Sequence, residues 1–272
     1  MESNNYKYID IGINLMHKSF NKDREDLITE AENVGVFPLI ITGTTENHSL
    51  EAIKYLEKYN KENGAKLFST VGVHPHNAKE FTPDTLDNLE KMAQNPYVVA
   101  IGECGLDYNR NFSPRNKQKK VFEKQIDLAK KLDMPLFLHD RESYEDFSVI
   151  LEKHQDGIKD MVVHCFTGTK KELETYLELG AYIGITGWIC DERRGKGLLK
   201  LLNEIPLERL LIETDAPFLI PRDLKPKPKK HRNLPQYLPH IAKTIAKELG
   251  EDEEKISKIC FSNTVKFFNL EV

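Results

Sequence analysis

The chain alternates short apolar runs with longer segments in which apolar positions recur at helical spacing. Eight runs read as buried strands: Tyr8–Ile13, Phe37–Thr42, Leu67–Val73, Val98–Glu103, Pro135–His139, Met161–Cys165, Ala181–Ile185 and Arg209–Asp215. They are near-continuous in Val, Ile, Leu and Phe, as strands covered on both faces should be. Helices are expected between them over Lys22–Asn33, Glu46–Asn63, Pro114–Leu132 and Lys170–Leu179. Pro114 suits a first helical turn, and Gly180 stands where a C-terminal cap is expected. Two further helices, Leu234–Leu249 and Glu253–Phe268, follow the last strand. Strands separated by helices imply parallel pairing through crossovers.

Each run is expected to end on a polar residue: Asp10, Thr42, His74, Glu103, His139, His164, Thr186 and Asp215. These recur about every 29 residues, one βα unit per interval. In an eight-stranded barrel such ends converge on one mouth, where active sites are built. A doubly wound open sheet would spread them along an edge and carry a glycine-rich phosphate fingerprint after the first strand. Here Ile11–Leu15 holds only the lone Gly12. The expected fold is a single-domain TIM (β/α)8 barrel over residues 1–272.

Composition narrows the class without naming a chemistry. A 39% hydrophobic content with 13 Phe and 10 Tyr supports one large core, and 30% charged residues support a well-solvated surface. No apolar run approaches the roughly 18 residues of a membrane span, so no membrane partner is expected. Met1 to Lys7 is polar and lacks the apolar core of a secretion signal. The 4 cysteines, at 104, 165, 190 and 260, show no CxxC pairing and read as reduced thiols. A cytoplasmic chain is expected, with the nucleus as the alternative. A net charge of -4 gives no global attraction to polyanions. Any nucleic acid must therefore be gripped by a local patch. Lys225, Lys227, Lys229, Lys230, His231 and Arg232, in a proline-rich loop after the eighth strand, form one.

Chemistry concentrates at the strand ends. Glu103, His139, His164 and Asp215 offer two imidazoles and two carboxylates, a donor set suited to Zn²⁺, Mn²⁺ or Mg²⁺. Glu103 is the natural carboxylate to bridge two ions. Asp215 is the candidate base, since a carboxylate beside a metal can ligate or accept a proton. Arg141 fits either a phosphate contact or a surface salt bridge. Arg193 and Arg194, in the loop Asp191–Arg194, fit a nucleic-acid backbone or a solvated loop. Trp188 or Tyr108 could stack on an unpaired base.

The segments IDIGIN, VGVHPH, AIGECGLD, LHDR, HCFTGT, YIGITGW, CDERRG and LLIETDAP with PRDL occur in this order. Together they resemble the TatD family of metal-dependent deoxyribonucleases, within the amidohydrolase superfamily. The resemblance implies a (β/α)8 barrel, a divalent metal with Mg²⁺ favoured, and 3′-to-5′ hydrolysis of DNA phosphodiesters on single-stranded or frayed ends. It implies Glu103, His139, His164 and Asp215 as ligands, with Glu103 and Asp215 catalytic. His74 becomes a substrate-phosphate or metal-neighbour residue, and Asn14, Arg141, Arg193, Arg194 and Arg232 further substrate contacts. A monomer or weak homo-oligomer is expected.

Two departures qualify this. Most of the wider family has an H-x-H pair after the first strand, where this chain has Gly12 and Asn14. That pattern favours one firmly held ion and makes a second conditional. The family's R-N-E-P appears here as Arg232-Asn233-Leu234-Pro235. The rival readings are a different hydrolase on the same scaffold, cleaving an amide or ester, and a non-catalytic nucleic-acid binder.

Overall fold

The computed structural model describes residues 6–64, 67–228 and 231–272; Met1–Asn5 of the polar N-terminus and Lys229 and Lys230 of the basic run lie outside them. The described residues form eight strands: β1 Tyr8–Ile13, β2 Val36–Ile41, β3 Phe68–Val71, β4 Val98–Asp107, β5 Leu136–Arg141, β6 Met161–Val163, β7 Tyr182–Ile185 and β8 Leu210–Ile212. They belong to one sheet in the order β1 to β8, the (β/α)8 pattern that the apolar periodicity predicts. Every residue of β1 and of β4 is buried, as parallel strands covered on both faces require.

The helices are α1 Arg24–Asn33, α2 Glu46–Asn63, α3 Pro83–Met92, α4 Arg115–Leu132, α5 Tyr144–His154, α6 Lys170–Glu178, α7 Lys196–Leu201, α8 Leu238–Leu249 and α9 Glu253–Phe268. Their starts are written in side chains. The Thr45 hydroxyl accepts the His48 N–H at 3.1 Å, opening α2. Thr169 and Glu172 form a reciprocal capping box on α6. Gly64 and Gly250 then close α2 and α8 in the left-handed conformation that glycine adopts without penalty.

Contacts divide the chain into two compact units, Ile41–Tyr182 and Met1–Ile40 with Ile183–Val272. In the first, β3 to β6 pair in parallel. The β4–β5 register slips between Gly102 and Cys104, which leaves Glu103 as an extra residue on a bulge. Gly102 (φ +147°) and Gly105 (φ +141°) flank it. A Cβ on Gly105 would lie 2.0 Å from the His139 carbonyl oxygen, so only glycine lets β4 approach β5 there.

In the second unit, β7 pairs with β8. Past β8, the Asp215 N–H donates to the Gly12 carbonyl at 2.9 Å and the Asn14 N–H to the Ala216 carbonyl at 2.8 Å, stitching β1 to that segment. Asp10 is not at a strand end, as expected, but inside β1 and fully buried. Its carboxylate accepts the Thr214 N–H at 2.9 Å, the Thr214 hydroxyl at 2.5 Å and the Gly12 N–H at 3.3 Å. Burial pushes its pKa up to about 7 against those bonds.

Candidate metal centre

In the unit Ile41–Tyr182, three imidazoles converge on one carboxylate oxygen. Glu103 Oε1 lies 2.8 Å from His164 Nε2, 2.9 Å from His139 Nδ1 and 3.2 Å from His74 Nε2. The β4 bulge aims Glu103, β5 supplies His139, and His164 and His74 follow the ends of β6 and β3. His164 is also fixed from both sides of its backbone and ring. Its N–H donates to the Leu138 carbonyl at 2.9 Å, and its ring stacks on Phe137 with centroids 4.5 Å apart. Glu103 is 6% exposed. Burial alone would raise its pKa, but the surrounding imidazoles outweigh that and hold it well below the usual carboxylate range.

A second carboxylate, which sequence reasoning passed over, sets the histidines. Asp107 ends β4 and is buried. Its Oδ2 lies 2.8 Å from His76 Nε2 and 3.3 Å from His139 Nε2. Its Oδ1 accepts the Arg110 N–H at 2.8 Å. Hydrogen bonds from His139 and His76 outweigh burial and hold Asp107 far below its ordinary value. His139 is thus flanked by a carboxylate at each ring nitrogen, and its pKa is raised despite burial. A carboxylate holding the outer N–H of a histidine is the arrangement that turns the inner nitrogen toward a metal.

His74 has a different tautomer. Its Nδ1 accepts the His76 N–H at 3.1 Å, and burial pushes its pKa down to about 4. The neutral ring therefore carries its proton on Nε2, facing Glu103, as a donor. His74, Glu103 and His139 nonetheless offer donor atoms all within 4.8 Å of one another, a spacing that suits a divalent ion. The N/O donors and the buried carboxylate fit such an ion.

Most of the remaining expected site residues have partners of their own. Asn14 donates its side-chain N–H to Asp215 Oδ1 at 2.8 Å. That bond sets the amide against the carboxylate expected to act as base. Arg232 forks onto Asp23 and reaches the Ser19 carbonyl, with Phe20 under its guanidinium at 5.1 Å. Arg193 is bidentate to Asp191 at 2.8 and 3.1 Å. Arg194 sits 5.5 Å from the Trp188 ring. Arg141, the last residue of β5, is exposed. Tyr108 is buried, its hydroxyl donates to Asp146 at 2.6 Å, and Arg115 covers its ring at 4.1 Å. Phe112 instead stands 56% exposed with its ring against His76, centroids 4.8 Å apart. A lone Phe between Asn111 and Ser113 gave no periodic signal.

The model of the TatD related DNase family matches residues 9–269. A "3′-5′ ssDNA/RNA exonuclease TatD" of Salmonella typhimurium is 44% identical over 261 residues, covering 96% of this chain and 98% of that protein. A relative of the same description from Rahnella sp. is 47% identical over 261 residues, with the same coverage of both chains. The crystal structure of a TatD family hydrolase from Entamoeba histolytica superposes with a TM-score of 0.89 at 30% identity, covering 97% of this chain and 98% of that one. No helix among the described residues is long and apolar enough to cross a membrane. By the family model's reach and the extent of these identities, the chain belongs to the TatD related DNase family.

Proposed function

We propose that this chain is a divalent-metal-dependent exonuclease that hydrolyses phosphodiester bonds of single-stranded DNA or RNA from the 3′ end. The observation that carries the reading is the convergence of three imidazole nitrogens on Glu103 Oε1 within 3.2 Å, in a chain 44–47% identical to relatives described as 3′-5′ ssDNA/RNA exonucleases. Glu103, His139, His164 and Asp215 are the proposed ligands, with Mg²⁺ ahead of Mn²⁺ and Zn²⁺. When bound, such an ion offsets charge on the non-bridging phosphate oxygens and acidifies water.

The chain's own groups divide the remaining work. Asp107 keeps the His139 Nε2–H outward, so that Nδ1 faces Glu103. His74, whose N–H faces Glu103, remains the proposed metal-neighbour or phosphate-side residue. Asn14 fixes one oxygen of Asp215, which supports Asp215 as the acceptor of the water's proton. Phe112 offers a platform for the terminal base beside His76. Arg141 and Arg194 remain the proposed backbone contacts, while Arg193 and Arg232 shape the loops through Asp191 and Asp23. A single catalytic domain is supported by the one strand order and by the family model's span. A cytoplasmic location is supported by Cys104, Cys190 and Cys260, buried thiols that form no disulfide.

The test is a time course on single-stranded DNA and RNA labelled at either end, with Mg²⁺, Mn²⁺ and Zn²⁺ titrated separately. Stepwise shortening from the 3′ end is expected. Cleavage of amides or esters without nuclease action, or nucleic-acid binding that survives EDTA without turnover, would reject the reading.

A further inference from the structure

Cys190, Asp223 and His240 form a second cluster of donors in the unit Met1–Ile40 with Ile183–Val272. Their donor atoms all lie within 4.8 Å of one another. Cys190 closes the short 3-10 helix Gly187–Cys190 after β7, Asp223 lies in the segment after β8, and His240 belongs to the first turn of α8. Three separate stretches of chain thus bring sulfur, oxygen and nitrogen to one place. His240 Nε2 is 2.7 Å from Asp223 Oδ1. Cys190 is 4% exposed, and its Sγ is 3.4 Å from the Thr244 hydroxyl, one turn beyond His240 on the same helix. The His240 and Asp223 side chains are 28% and 47% exposed, so the cluster is buried on its sulfur side and open to water on the other.

We propose that Cys190, Asp223 and His240 are a binding site for a thiophilic divalent ion, Zn²⁺ foremost, separate from the Glu103 centre. Mixed S, N and O donors suit tetrahedral Zn²⁺, and solvent supplies a fourth position on the open side. Donors around such an ion stand about 3.3–3.8 Å apart, so the His240–Asp223 pair, at 2.7 Å, opens by roughly 0.6 Å and the other separations, all within 4.8 Å, close by roughly 1.5 Å at most when the ion enters. A thiolate is a poor ligand for Mg²⁺, so the two centres select different metals by donor softness. Burial pushes the Cys190 thiol up to about 12. Binding therefore forms a metal–sulfur bond and releases the thiol proton to solvent.

The site would tie the loop bearing Arg193 and Arg194 to the segment leading into the basic run. Arg222 already braces these two stretches, 3.8 Å from Asp191 and 3.7 Å from Glu192. The ion acts as a clamp on loops, and its binding is read without reference to nuclease activity.

The experiment is a Co²⁺ titration of the metal-free full chain, followed by absorbance. A thiolate-to-cobalt charge-transfer band in the near ultraviolet marks a sulfur ligand, which the Glu103 centre does not offer. One equivalent of Co²⁺ should produce the band with release of about one proton per ion, and Zn²⁺ should then displace the Co²⁺ and remove the band without further proton release. Cys190→Ser should abolish it. His240→Gln, at a half-exposed position that leaves the fold intact, should weaken Co²⁺ binding at least tenfold. Cys165→Ala, altering the thiol beside His164, should leave the band unchanged. A missing band in the parent, a band that survives Cys190→Ser, an unchanged affinity in His240→Gln or a band lost in Cys165→Ala overturns the proposal.

Discussion

Replacing Asp107 by Asn tests whether the buried carboxylate behind the histidines sets the metal centre. Asn keeps the size of the side chain and can still accept the Arg110 N–H, which Asp107 Oδ1 accepts at 2.8 Å. It places an NH₂ donor where Oδ2 faces His76 Nε2 at 2.8 Å and His139 Nε2 at 3.3 Å. His139 then loses the partner that fixes its tautomer, and donor meets donor at both rings. Partners of this kind contribute about 10–100-fold to metal affinity, or about 1.4–2.7 kcal/mol at 1.36 kcal/mol per decade. Calorimetric titration of Mn²⁺ into metal-free parent and Asp107→Asn at neutral pH should show a loss in that range. Turnover of labelled single-stranded DNA should fall with it. Because the folded pKa of Asp107 is depressed, its contribution to stability is present above the ordinary carboxylate range. That contribution is lost as the pH falls through and below that range. The gap in melting temperature between parent and variant should therefore narrow below about pH 4. Mn²⁺ affinity within twofold of the parent, with turnover intact, would refute the reasoning.

Three further outcomes follow from particular contacts. Phe112→Ala should raise KM for single-stranded DNA by about 5–150-fold, the equivalent of about 1–3 kcal/mol of stacking, while kcat and the melting temperature hold; an unchanged KM removes Phe112 from the substrate path. Gly105→Ala drives a Cβ to 2.0 Å from the His139 carbonyl oxygen at a positive φ, and should destabilise by about 3 kcal/mol or more in chemical denaturation. Asp10 has a raised folded pKa near 7, so its contribution is fully present below the unfolded value near 4 and lost as pH rises through 7. Asp10→Asn should therefore gain on the parent, by on the order of 1 kcal/mol per pH unit between those limits, measured by denaturant unfolding across pH.

Much of this was legible in the chain, for physical reasons that also mark where legibility ends. Strands covered on both faces must be almost wholly apolar, so their positions stood out, and the spacing of one βα unit followed from the runs alone. Their ends were less visible. β4 runs on past Glu103 to Asp107, because Gly102 and Gly105 allow a bulge that inserts Glu103 into a continuing strand. The expectation of an end at Glu103 hid Asp107, although two glycines three residues apart around a Glu were a signal for that bulge. β6 and β8 stop at Val163 and Ile212, before His164 and Asp215. Those side chains are presented by the turns that follow. Partnerships were harder still. That Asn14 serves Asp215, or Arg232 serves Asp23, depends on residues about 200 positions apart in the chain, and residue type alone cannot distinguish an arginine kept for phosphate from one that anchors a loop.

The central claim is that Glu103 gathers the metal centre and that phosphodiester cleavage depends on it. Its most direct test compares the parent with Glu103→Gln, measuring equilibrium Mn²⁺ binding and single-turnover cleavage of 3′-end-labelled single-stranded DNA in the same metal titration. The variant should fold, bind Mn²⁺ at least 100-fold more weakly and release no 3′ nucleotide on the parent's timescale. Cleavage by Glu103→Gln at the parent's rate and metal dependence would contradict it.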